Sequence, residues 1–191
     1  MAAASDITLL PDAGPLITLA YAEALDVLFK PGWRVAVVDM VQHEVTRNKT
    51  PTSARLAKWL RQKTVALVPT QTFAQYQNIQ QKHQQETRQS ALQSGTEASL
   101  PLRKKANLGE MAIQETINAL ALEQPRRASV LLFEDHRIAS TNFFLPDGCQ
   151  KVSTRAFLVF LEQRAYIQSA SAIERAAIQV GRSFSQLRFP P

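Results

Sequence analysis

The sequence predicts an α/β fold: a mostly parallel central sheet of about five strands flanked by helices. Three observations carry this expectation. Ile7 to Leu10, Val35 to Val38 and Val130 to Phe133 are short, largely apolar runs closed by turn or acidic residues, the pattern of strands buried on both faces. The stretches between them carry apolar residues at helical spacing, and strands separated by helices imply βαβ units. Composition permits a core: 45% of the 191 residues are hydrophobic and 20% charged, a length suited to one domain of roughly 150–200 residues.

Ile7 to Leu10 reads as the first strand, ended by Pro11-Asp12. Gly14-Pro15 opens a helix with Leu16, Leu19, Ala20, Ala24, Leu25 and Leu28 on one face, stopped by Pro31-Gly32. After the second strand, Asp39 and Gln42 have capping-box spacing, which starts a helix through Val41 and Val45. Pro51 and Ser53 mark the next helix, with Leu56, Trp59 and Leu60 as its stripe, and Val65 to Val68 is a short strand closed by Pro69. Residues 71–93 change character, for nine of the 23 are glutamine; a polar exposed helix or arm is expected, with a loop from Ser94 to Lys105. A helix follows from Leu108 through Leu120, then a turn at Pro125-Arg126-Arg127 and the strand to Phe133. A short helix through Ile138, a last strand at Cys149 to Ser153, a helix capped by Thr154 and a final helix from Ser171 to about Val180 complete the reading. The whole, 1–191, is expected to be one domain: a core over roughly residues 6–165, a glutamine-rich insertion over about 71–106, and a C-terminal helix and tail over 166–191.

Composition narrows the function. The single cysteine, Cys149, excludes an intramolecular disulfide and a multi-cysteine zinc site, in keeping with a cytoplasmic setting. Ala156 to Leu161, the longest strongly apolar run, is too short to span a bilayer, so no membrane association is expected. The N-terminus lacks a basic start and contains Asp6, Pro11, Asp12 and Pro15, against a signal peptide. The net charge of +6 favours a polyanionic partner, nucleic acid before membrane surface. No glycine-rich phosphate loop is present, and His43, His83 and His136 lack metal-ligand spacing.

In parallel sheets, ligands bind beyond the carboxyl ends of the strands. Asp12 and Asp135 each lie two residues past a strand, Glu44 lies about one turn into the helix after the second strand, and Glu110 stands near the start of the helix that precedes Val130. Two carboxylates about 4 Å apart repel by about 4 kcal/mol at an effective dielectric near 20. A cluster of them therefore calls for a cation, and hard oxygen donors favour Mg²⁺ or Mn²⁺ over zinc. Acids holding metal while Lys and Arg hold phosphates is the chemistry of a nuclease. Each acid also has a purely structural reading: Asp12 as a cap, Glu44 as a solvated helix residue, Glu110 as a response to the helix dipole, Asp135 as a cap, with Glu134 competing for its role.

Four segments in order resemble the PIN-domain family, whose members include RNA-processing nucleases and toxin–antitoxin toxins: Leu10-Pro-Asp12-Ala-Gly-Pro-Leu-Ile, Val37-Val-Asp-Met-Val-Gln-His-Glu44, Leu108-Gly-Glu110-Met-Ala-Ile and Leu131-Leu-Phe-Glu-Asp135-His-Arg. The match spans roughly residues 6–165 and fits poorly in the glutamine-rich arm. The resemblance implies a three-layer PIN-like fold and a metal-dependent endoribonuclease. Its catalytic acids would be Asp12, Glu44, Glu110 and Asp135. Asp12, Glu110 and Asp135 would bind Mg²⁺ or Mn²⁺, with Glu44 helping to orient water. Lys104 and Lys105 are candidate phosphate contacts, and Thr154 a polar helper or a plain N-cap. Asp135 is preferred to Glu134 because alternation at a strand end sends the two to opposite sides. A cognate antitoxin and homodimerisation are further expectations from the family. Glu110 departs from the family's frequent aspartate at that position by one methylene.

Two rival readings stand beside this one. A PIN-like module with a degraded site would bind RNA or protein without cleaving. Receiver and aspartyl-phosphatase domains also gather acids at strand ends, but the former needs an acidic pair after its first strand and the latter Asp-x-Asp, whereas this chain reads Asp12-Ala-Gly.

Overall fold

The computed structural model describes residues 6–94, 107–134 and 145–183. The order is β1 (Ile7–Pro11), α1 (Ala13–Tyr21), a 3-10 helix (Leu25–Phe29), β2 (Arg34–Val38), α2 (Asp39–Thr46), α3 (Pro51–Trp59), β3 (Val65–Val68), α4 (Gln71–Ser94), α5 (Leu108–Glu123), β4 (Ala128–Phe133), β5 (Cys149–Ser153), α6 (Thr154–Gln163) and α7 (Ala170–Gln179). The five strands form one sheet in the order β3-β2-β1-β4-β5, parallel throughout. This is the expected α/β architecture, consistent with a three-layer PIN-like fold.

Burial along the strands explains the layering. β1, β2 and β4 are buried at nearly every position, so helices cover both faces of the sheet centre. The edge strands β3 and β5 are only half covered. One hydrophobic core runs from Leu9 and Leu10 through Leu16, Val37, Leu56, Ile117 and Leu131 to Leu158. Because every strand runs the same way, Asp12, Asp39, Glu134 and Thr154 all follow strands at one edge. There the ladder is extended by one bond, Asp12 N–H donating to the Leu132 carbonyl at 2.9 Å.

Four local expectations need correction. The single helix expected from Gly14 to Leu28 is α1 followed by a 3-10 helix. Glu23 adopts a left-handed conformation (φ 56°), and the N–H groups of Glu23 and Ala24 bond the carbonyls of Ala20 and Leu19, a Schellman ending without its usual glycine. Asp39 makes no capping box with Gln42; its carboxylate accepts from the Met40 and Thr70 N–H groups and the Thr70 hydroxyl. Ser153, not Thr154, caps α6, and Ser169, not Ser171, caps α7. In each, a side chain earlier in the sequence reaches the free N–H first.

The start of α3 follows the sequence closely, with Thr50 and Ser53 closing a reciprocal capping box and Pro51 in the first turn. The glutamine-rich segment is helical as α4. The expected loop after it, from residue 95 to Lys105, the short helix through Ile138 and the tail beyond Ser183 lie outside the described residues. The C-terminal helix joins the core more closely than expected: α7 packs on α1 and α6, burying Ala170, Glu174 and Ala177. No helix among the described residues is long and apolar enough to cross a membrane.

Candidate active site

Asp12 ends the central strand and stands at the N-cap position of α1. Its extended backbone (φ −76°, ψ 174°) lets its own N–H continue the β1–β4 ladder. The side chain makes no capping bond, although Asp at this position commonly does. The cap reading of Asp12 is therefore not realised.

Glu44 and Glu110 come within electrostatic reach although 66 positions separate them in the chain, because α2 packs against α5. The first turn of α5 is unusual. Its N-cap, Asn107, is left-handed (φ 69°) and gives no side-chain cap, so the N–H groups of that turn need another acceptor. Glu44 supplies it, accepting from the Gly109 N–H across the helix interface. Gly109 is required for this approach, since a Cβ there would lie 2.8 Å from Glu44 Oε2. Glu110 follows in the same turn, favoured there by the helix dipole.

The electrostatics of this pair are mixed. Burial raises the Glu44 pKa above its ordinary value; Arg47 and the Gly109 N–H pull it down, and the neighbouring Glu110 charge pushes it up. The net shift is upward, so desolvation and like-charge repulsion outweigh the local donors. Such a carboxyl can carry a proton at higher pH than a solvated glutamate, or offer oxygens to a hard cation.

Glu134 is held through one oxygen at the same edge of the sheet. It follows β4 and is 8% exposed. Its Oε2 accepts from the Thr18 hydroxyl at 2.8 Å and pairs with Arg182 Nη2 at 2.8 Å. Arg182 also donates through Nε to Thr18 Oγ1 at 2.7 Å and through Nη2 to the Gly14 carbonyl at 3.4 Å. Asp135, the preferred fourth acid, lies outside the described residues, as do Lys104 and Lys105. Thr154 is 2% exposed, and its hydroxyl donates to the Phe133 carbonyl at 3.5 Å. In this structure it ties β4 to α6.

Among the described residues no three His, Cys, Asp or Glu side chains gather closely enough to hold a metal ion. Asp12 thus does not complete a ligand set with Glu44 and Glu110. The donor chemistry suits Mg²⁺ or Mn²⁺, but the described part of the site supplies a carboxylate pair only.

Beside the pair lies a feature that sequence reasoning missed. His43, adjacent to Glu44 on α2, packs on Phe73 and Tyr76 of α4 with ring centroids 5.4 Å from each. These rings and several glutamines of α4 line an open groove of about 260 Å³. The available signal was Phe73 and Tyr76 three residues apart in an otherwise glutamine-rich helix. In comparisons with known proteins, the chain matches no family model, no curated protein and no solved structure.

Proposed function

We propose that the chain is a metal-dependent endoribonuclease of the PIN-like type, cytoplasmic, which hydrolyses RNA phosphodiester bonds. The observation that carries this reading is the approach of Glu44 to the first turn of α5, within electrostatic reach of Glu110, beside a parallel sheet whose central strand is followed by Asp12. Gathered carboxylates without cations are costly, and a divalent ion removes that cost. Asp12, Glu110 and Asp135 would hold Mg²⁺ or Mn²⁺, which when bound activates water and stabilises phosphoryl charge. Glu44, fixed by the Gly109 N–H, orients water and takes up its proton, a role its raised pKa suits. A net charge of +6 draws the RNA to the protein. Toxin activity under a cognate antitoxin, and homodimerisation, belong to the same proposal.

The test is cleavage of single-stranded RNA with Mn²⁺ present. Asp12→Asn and Glu110→Gln are each expected to slow it by about 100-fold or more. Cleavage by both variants at the wild-type rate would remove the reading. The second reading is a degraded PIN-like module that binds RNA or protein. RNA binding without cleavage in any divalent ion would select it.

A further inference from the structure

We infer that the groove between α2 and the first half of α4 is a base-stacking subsite for single-stranded RNA, an inference that rests on the proposed ribonuclease activity. Its floor is aromatic. His43, Phe73 and Tyr76 are half-buried, and the Phe73 and Tyr76 rings are stacked, with centroids 6.1 Å apart and planes 21° apart. Its walls include Gln77, Gln80 and Gln84. A volume of about 260 Å³ falls below the roughly 300–1,000 Å³ of pockets for drug-sized ligands, which suits one flat ring.

The chemistry of the lining selects the occupant. Single-stranded RNA is recognised by unstacked bases laid on aromatic rings and hydrogen-bonded along their edges. A glutamine amide carries both a donor and an acceptor, which together pair with the edge of a base. One cation stands near the groove: Arg47 is exposed and within electrostatic reach of His43 and Glu44. Burial, then the Arg47 charge, lowers the His43 pKa, which favours the neutral ring. Position adds to the case: His43 precedes Glu44 directly, so one turn of α2 carries both the groove floor and the acid.

The experiment is a fluorescence-anisotropy titration of a labelled RNA decamer in EDTA, where no divalent ion supports cleavage. Tyr76→Ala is expected to weaken binding roughly tenfold, while Tyr76→Phe, which keeps the ring, stays near wild type. On a decamer without bases the three proteins should bind alike. Equal losses on both RNAs, or no loss in Tyr76→Ala, would overturn the subsite. If Tyr76→Ala lowers the melting temperature, the exposed Gln84→Ala replaces it: a loss confined to the base-bearing RNA supports the inference, and none overturns it. Self-association that disappears in Tyr76→Ala while RNA affinity holds would mark the groove as a protein contact and overturn it too. Should wild-type protein cleave RNA with Mn²⁺ while Tyr76→Ala binds it undiminished, the subsite alone falls. Should wild-type protein neither bind nor cleave RNA, the ribonuclease reading falls with it.

Discussion

Glu44 sits where burial and a like charge work against its ionisation, and among the described residues Arg47 and one backbone N–H compensate. A carboxyl whose pKa is raised on folding contributes stability that is present at low pH and lost as pH rises through its folded value. Glu44→Gln keeps an acceptor for the Gly109 N–H and removes that loss. The variant should therefore gain melting temperature relative to wild type as pH rises from the ordinary value of 4.5 towards neutrality. A difference that does not change with pH would contradict the electrostatic account. Gly109→Ala tests the same contact sterically. A Cβ 2.8 Å from Glu44 Oε2 displaces the flexible end of that side chain, so the variant should stay within about 1 kcal/mol of wild type in urea unfolding while its pH dependence changes. The sequence places Asp12 after a strand and Glu110 in the first turn of a helix, because both positions follow from local pattern. It gives no sign that Glu44 caps a helix 65 positions away, since that bond depends on how α2 packs on α5.

Helix ends show the same limit one level up. The box of Thr50 and Ser53 is legible because all its partners lie within four residues. The end of α1 at Ala22 is not, for its left-handed residue is Glu23 rather than glycine, and Arg55 of α3 holds it by pairing with Glu23 at 2.6 Å and donating to the Ala20 carbonyl. The start of α4 is likewise held from a distance. Glu115 of α5 accepts from the N–H groups of Gln71 and Thr72 and from the Thr72 hydroxyl, at 2.6, 3.0 and 2.9 Å. Burial pulls the Glu115 carboxyl up, and these three donors outweigh it, leaving the pKa below its ordinary value. The sign is opposite to that of Glu44. The stability it adds is present above the ordinary value of 4.5 and lost as pH falls through the depressed one. Glu115→Gln should thus melt earlier than wild type at neutral pH and converge with it in acid. Convergence at neutral pH instead would show that Glu115 does not hold the arm.

At the scale of the molecule, the class of fold was legible and its wiring was not. Continuous apolar strands between helices dictate a covered parallel sheet whatever the order of the strands. The order β3-β2-β1-β4-β5 depends on pairings such as Leu10 with Leu131, which no local period encodes. The same holds for the closure of the chain on itself. Arg182, just past α7, reaches Thr18 of α1 across 164 positions and clamps Glu134 at the end of β4. The side chains are 11% and 4% exposed, so the pair is shielded from water. Removing one partner strands a buried charge, whereas removing both does not. Arg182→Ala should then cost about 3–5 kcal/mol in urea unfolding, and Glu134→Leu added to it should recover part of that loss. A single-variant loss below about 1 kcal/mol, the range of exposed pairs, would mean the clamp is open in solution. The clamp lies at the carboxyl edge that carries Asp12, joining α1 to β4 through Gly14, Thr18 and Glu134. Its release is accordingly expected to weaken the Mn²⁺-supported cleavage proposed for this chain under conditions where Arg182→Ala remains folded, an effect read by comparing the rates of the two proteins at a temperature below both melting points.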